Sequence, residues 1–234
     1  SIVRSERLAS VGRLAAGVAH EIGNPIAAIL GFEELLLAGD VSEDEQRDFL
    51  IRMRSETERV SRVLRDLLDF ARPVGRTEEA PGFADVREAL TTVGALLKPQ
   101  KRMGSLTMEI DPQLAVGPVA ISSERLQQVL LNLLLNAADA ARSTIRVTAE
   151  QARGRVRVHV ADDGPGIAPS VRSRLFEPFV TTKEIGEGTG LGLAVCRGLV
   201  EAAGGTLGLG ETDLGGACFV LELPAYRPAP DVSA

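Results

Sequence analysis

Between Phe49 and Phe70 the apolar residues fall at Phe49, Met53, Val60, Val63, Leu67 and Phe70, in alternating steps of four and three that only Glu56 interrupts. This heptad spacing keeps one stripe of a helix turned toward a partner helix along its whole length. A second stripe precedes it at Val11, Ala15, Val18, Ile22, Ile29, Phe32 and Leu36. Gly39 and Asp40 separate the two, and Ser42 followed by Glu45 forms a capping-box pattern that starts the second helix. An antiparallel helical hairpin is therefore expected. A lone hairpin leaves much of both stripes wet, at roughly 25 cal/mol per Å² of apolar surface. Pairing two hairpins into a four-helix bundle removes that cost, so a homodimer through residues 1–72 is predicted.

From Pro73 to Gly82 the pattern dissolves into a polar stretch with two prolines and two glycines, the composition of a linker. Beyond it the periodicity predicts helices near 85–97, 123–142 and 190–203. Strands are expected near 106–110, 144–148, 155–160, 206–209 and 217–223. Helices and strands in this order suit an α+β sandwich with helices on one face of a mixed sheet. The domains are expected at 1–72 (hairpin), 73–82 (hinge) and 83–225 (sandwich), with a frayed tail at 226–234.

Aromatic residues are 3% of the chain, so the core must be built from Leu, Val, Ile and Ala. A net charge of −6 argues against nucleic acid as a partner, since binding to it relies on clustered Lys and Arg. Cys196 and Cys218 lie in apolar segments without zinc-site spacing and read as small buried hydrophobes, a disulfide being the lesser alternative. No apolar run approaches the roughly 20 residues of a membrane span, so this segment is expected to work in the cytoplasm without direct membrane contact. The chain opens at Ser1 inside a helical pattern, which implies an upstream region where a stimulus would be sensed.

His20 stands about 200° around the helix from Val18 and Ile22, away from the seam. Alone, an exposed helical His is usually just a solvated residue. Glu21 follows it directly, however, Asn24 lies one turn on, and Pro25 removes a backbone donor just beyond, which should bend or loosen the helix. An imidazole that attacks phosphorus needs one neutral nitrogen while its other N–H is held, and Glu21 could hold it and take the proton. The run His20-Glu21-Ile22-Gly23-Asn24-Pro25 resembles the H-box of two-component sensor histidine kinases, in the version with Asn four residues after the His. The resemblance implies autophosphorylation of His20 and transfer to an Asp in the receiver domain of a response regulator. It further implies a base role for Glu21, and for Asn24 a water-orienting role in dephosphorylating the regulator.

Asn132 and Asn136 share one face of an otherwise apolar helix. The pair fits satisfied core amides as well as oxygens facing a ligand or hydrated Mg²⁺. Asp162-Asp163-Gly164-Pro165-Gly166 follows an alternating strand, with glycines that let the backbone turn sharply and approach a ligand. Gly186-Glu187-Gly188-Thr189-Gly190-Leu191-Gly192 opens onto a helix, whose free N–H groups favour phosphate. With Phe176-Glu-Pro-Phe179, these segments resemble the N, G1, F and G2 boxes of the histidine kinase catalytic domain, in the family's order. The likeness covers nearly the whole chain and implies an ATPase fold shared with the chaperone superfamily.

For the site it implies that Asp162 accepts from the adenine amino group, Asn136 is the main Mg²⁺ ligand with Asn132 beside it, and Gly164 and Gly166 shape the turn. Residues 180–190 would form a lid over the phosphates of ATP, with Lys183, Gly188, Thr189, Gly190, Leu191 and Gly192 lining it. Asp139 departs from the basic residue many relatives carry there. The rival readings are another ATPase of the superfamily, or an ATP-binding dimeric scaffold without kinase activity.

Overall fold

The computed structural model describes residues 22–71, 82–99, 101–111, 116–182 and 190–226. The chain divides into two compact units, Ser1–Arg72 with Glu177–Gly192, and Pro73–Phe176 with Leu193–Ala234.

In the first unit, helix α1 covers residues 22–38 and α2 covers Glu43–Ala71. Gly39, at φ +79°, ends α1 in the left-handed conformation that favours glycine. The expected capping box is present. Glu45 Oε2 accepts from the Ser42 backbone N–H at 2.8 Å and from its hydroxyl at 2.7 Å, while Ser42 Oγ accepts from the Glu45 N–H at 3.4 Å. These bonds hold the Glu45 carboxyl below its usual range. Phe32 stacks on Phe49 with centroids 5.4 Å apart, fixing the register of the hairpin. Helix α1 runs through Pro25, so within the described residues the proline does not break it.

The two predicted stripes face inward: Ile22, Ile29, Phe32 and Leu36 with Phe49, Met53, Glu56 and Val60 are half-buried, and Val63 is buried. Another set, Ile26, Leu30 and Leu37 on α1 with Leu50 and Leu64 on α2, remains 43–79% exposed. At 100° per residue both parts of this set lie about 100° from their own seams, on the same side of the antiparallel pair. One hairpin thus buries one stripe and leaves a second.

The second unit is built on α3 (Val86–Leu97), β1 (Thr107–Ile110), α4 (Ser123–Ala140), β2 (Thr144–Ala152), β3 (Arg155–Asp162), the single turn α5 (Pro169–Arg172), α6 (Gly192–Ala202), β4 (Thr206–Leu209) and β5 (Cys218–Pro224). The strands lie in the order β1-β2-β3-β5-β4, with β1 parallel to β2 and every other pair antiparallel. This is the expected mixed sheet; the turn at α5 and a 3-10 segment at Lys101–Ser105 carry too little periodicity to be foreseen.

The apolar face of the sheet (Ile145, Val147, Val156, Val158, Val160, Phe219, Leu221, Leu223) forms one core with α3, α4 and α6. Leu90, Leu126, Leu130, Leu133 and Leu134 are fully buried there, consistent with a core of aliphatic residues. Asp85 caps α3 by accepting from the Glu88 N–H at 2.9 Å, and Ser122 caps α4. The opposite face of the sheet carries charge pairs, Arg146 with Glu109 and Asp213, and Arg155 and Arg157 with Glu222. Cys196 and Cys218 are buried free thiols, as the hydrophobic reading expected, and the disulfide alternative is excluded.

Ala152 pairs with Arg155 across a two-residue turn in which Arg153 and Gly154 have φ of +51° and +76°. Positive φ at both positions is the turn that suits a twisted hairpin, and Asn-Gly is its preferred sequence. Arg153 occupies a conformation that Asn adopts far more readily. Arg153→Asn should raise the unfolding free energy by about 0.5–1 kcal/mol, read from urea denaturation midpoints at unchanged slope.

Candidate active site

Asp162 ends β3 with 1% of its surface exposed, and it is the one buried charged residue among those described. Its Oδ1 accepts from the backbone N–H of Gly164 at 2.9 Å and of Ala217 at 3.2 Å. Burial pushes its pKa up, and the two backbone bonds oppose the shift without cancelling it. The carboxylate is therefore held at one orientation at the end of the central strand, where a hydrogen-bond acceptor inside a poorly hydrated site is at its strongest.

The glycines around it are required by contact. A Cβ on Gly164 would strike the Ala140 carbonyl at the end of α4 and come within 2.8 Å of Asp162 Oδ1. A Cβ on Gly216 would overlap the same carboxylate and come within 2.6 Å of the Gly164 nitrogen. Gly166 lies at φ +75°, beside the Gly216 carbonyl. The predicted Asp-x-Gly-x-Gly turn is thus a close-packed junction between the end of α4, the end of β3 and the segment preceding β5. Gly216 and Ala217 carry no signal in the sequence: they lie more than 50 positions from Asp162, and a Gly pair before a strand reads as an ordinary turn.

Asn132 and Asn136 both lie half-buried on α4, at the border of the stripe formed by Leu126, Val129, Leu130, Leu133, Leu134 and Ala137. Asn132 stands beside the Cys196 thiol, which burial pushes up to about 12, so that sulfur stays protonated and unreactive. Helix α4 ends at Ala140, two residues earlier than expected, because Ala141 turns to an extended conformation with ψ 143°.

Gly190 sits at φ +64° and its carbonyl accepts from the Phe179 N–H at 3.0 Å. A Cβ there would come within 2.6–2.9 Å of the Phe179 and Val180 backbone. Phe179 itself has φ +65°, a rare conformation for a bulky residue. Leu191 is fully buried and Gly192 begins α6. Asn24 is exposed on α1. His20, Glu21, Lys183, Gly188 and Thr189, together with most of the proposed hinge, lie outside the described residues.

Residues 10–75 match the family of His Kinase A (phospho-acceptor) domains, and residues 121–227 match the histidine kinase-, DNA gyrase B- and HSP90-like ATPases. The sensor histidine kinase ZraS of Klebsiella oxytoca is 35% identical over 97% of this chain, which spans 49% of that protein. Full-length ShkA in complex with AMPPNP is 32% identical with a TM-score of 0.64, the match covering 93% of this chain and 47% of that one. The kinase ThkA in complex with the response regulator TrrA superposes with a TM-score of 0.77 at 27% identity, over 95% of this chain and 64% of that one. The ThkA catalytic domain by itself is 31% identical over 96% of its length and 62% of this chain, with a TM-score of 0.53. The chain spans about half the length of the curated ZraS relatives it matches. With a phospho-acceptor domain ahead of an ATPase domain, this chain belongs to the sensor histidine kinase family.

Proposed function

We propose that the chain is the catalytic core of a kinase that phosphorylates its own His20 from ATP and passes the phosphoryl group to an Asp of a response regulator receiver domain. The observation that carries this reading is Asp162, a buried carboxylate fixed by two backbone donors beside the end of the helix that bears Asn132 and Asn136. Such a group recognises an N–H-bearing ring edge, here the adenine amino group. Occupancy of the related ShkA by AMPPNP supports the same ligand class.

The two amides suit Mg²⁺ held chiefly by nucleotide phosphates and water, since neutral oxygens one helical turn apart can supply one or two of its ligands. No cluster of three acidic, His or Cys side chains able to hold a metal occurs among the described residues. Asn136, with Asn132 beside it, would hold the ion, which neutralises charge on the phosphates. In the transfer His20 forms a bond to the γ-phosphorus as the bond to the β-bridging oxygen breaks. ADP departs, and Glu21 takes the imidazole proton. Asn24 orients the water that returns the regulator to its unphosphorylated form. Residues 73–82 act as the hinge between the hairpin at 1–72 and the catalytic domain at 83–225, and Lys183, Gly188, Thr189, Gly190, Leu191 and Gly192 serve the phosphates. The work is cytoplasmic, and no described helix is long and apolar enough to cross a membrane.

The second stripe of the hairpin is the dimer interface, because Ile26, Leu30, Leu37, Leu50 and Leu64 are otherwise left exposed on one side. Sedimentation should show a dimer at micromolar concentration. Leu50→Glu should weaken it by about 100-fold or more, since each buried Leu contributes roughly 1.5–3 kcal/mol and occurs in both protomers. A wild-type monomer would refute the dimer. Incubation with γ-labelled ATP and Mg²⁺ should give an acid-labile, base-stable label that His20→Gln abolishes. An unlabelled wild-type chain that still binds ATP would instead favour the scaffold reading.

A further inference from the structure

Beside Asp162, the carboxylate of Asp163 is held by several donors. Its Oδ1 accepts from the backbone N–H of Arg142 at 2.8 Å and of Ser143 at 3.1 Å. Its Oδ2 accepts from the same Ser143 N–H at 3.1 Å and from the Ser143 hydroxyl at 2.6 Å. Its own N–H donates to the Thr144 carbonyl at 3.2 Å. Each of these partners lies where α4 gives way to β2.

Electrostatics of the helix do not explain this placement. A carboxylate near the C-terminal end of α4 meets the negative pole of the helix dipole, where a cation would be favoured. The charge is kept there by N–H and O–H donors of Arg142 and Ser143, which follow the last residue of the helix. Those donors hold the carboxyl far below its usual range, the Ser143 hydroxyl contributing most.

The clamp has a geometrical consequence. Asn132 and Asn136 ride on α4, whereas Asp162 rides on β3, and the packing between helix and sheet is apolar and non-directional. A site must hold its groups to about 0.5 Å, which directional bonds achieve and oily contact does not. Asp163 supplies these bonds one residue from Asp162, on the same turn whose Gly164 abuts the Ala140 carbonyl. We propose that Asp163 is a positioning residue, which through Arg142 and Ser143 sets the register between the amide-bearing helix and the Asp162 carboxylate and thereby fixes affinity for the nucleotide.

This inference rests on the nucleotide reading above. The test is calorimetric titration of the 234-residue chain with ATP and Mg²⁺, with circular dichroism confirming that each variant is folded at the temperature used. Asp163→Ala should raise Kd about 10-fold or more, the loss expected when charge-assisted bonds to several donors vanish. Asp163→Asn keeps an acceptor for the backbone N–H groups and can donate to Ser143 Oγ, so it should restore affinity to within about 3-fold of the native value. A residue that only stabilises the turn would lower the melting temperature of Asp163→Ala and leave its Kd unchanged; that result overturns the proposal. If Asp163→Ala does not fold, Ser143→Ala takes its place, with an expected rise of about 3- to 5-fold, and an unchanged Kd there counts equally against the clamp. A wild-type chain that fails to bind ATP would overturn the nucleotide reading as well, whereas native binding with insensitive variants defeats the clamp alone.

Discussion

Burying a carboxylate is the demand that shapes the catalytic unit. Asp162 is 1% exposed, and removing it from water without compensation would cost several kcal/mol. Two backbone N–H groups must reach one of its oxygens, and they come from separate segments, Gly164 within its own turn and Ala217 beside the neighbouring strand. The approach is close enough that residues 164 and 216 have no room for a side chain. Burial raises its pKa, and the two backbone donors oppose that shift. Such a group is oriented by the fold in advance of any ligand.

The hairpin follows a different logic, since its helices bury one side and leave another open. Its stripe of steps of four and three closes the helix pair on itself, with Phe32 against Phe49 as the registering contact. Glu56 sits within that seam, its Oε2 buried without a hydrogen bond and 3.5 Å from Arg59, whose side chain is 15% exposed. A polar residue at a seam position weakens packing and restricts the registers available to a bundle. The remaining apolar side, from Ile26 to Leu37 and from Leu50 to Leu64, has no use in a single hairpin. The buried stripe thus closes the hairpin, and the exposed face beside it is the surface on which the proposed dimer rests.

Much of this architecture is legible in the order of the residues. Periodicity places the five strands and the major helices of the catalytic unit to within a few residues, because each element must turn an apolar face to one core. The capping box at Ser42 and Glu45 and the stop at Gly39 are equally local. Expectations are less exact where a boundary depends on a distant neighbour: β2 runs on to Ala152 because Ile145 to Ala152 pair with β3, and α4 stops at Ala140 where the chain turns to enter β2.

The sequence by itself determined the elements, the hairpin, the mixed sheet and the identity of Asp162, Asn132 and Asn136 as candidate site residues, since period, turn chemistry and motif are properties of neighbouring residues. Only the tertiary structure decided what surrounds them. Asp163 meets Arg142 and Ser143 across 21 and 20 positions, and Ala217 meets Asp162 across 55. No local pattern encodes these pairings, because they arise when strand order and helix packing bring separate turns to one end of the sheet. The same packing decided that one stripe of the hairpin is buried within the chain and that another stays exposed.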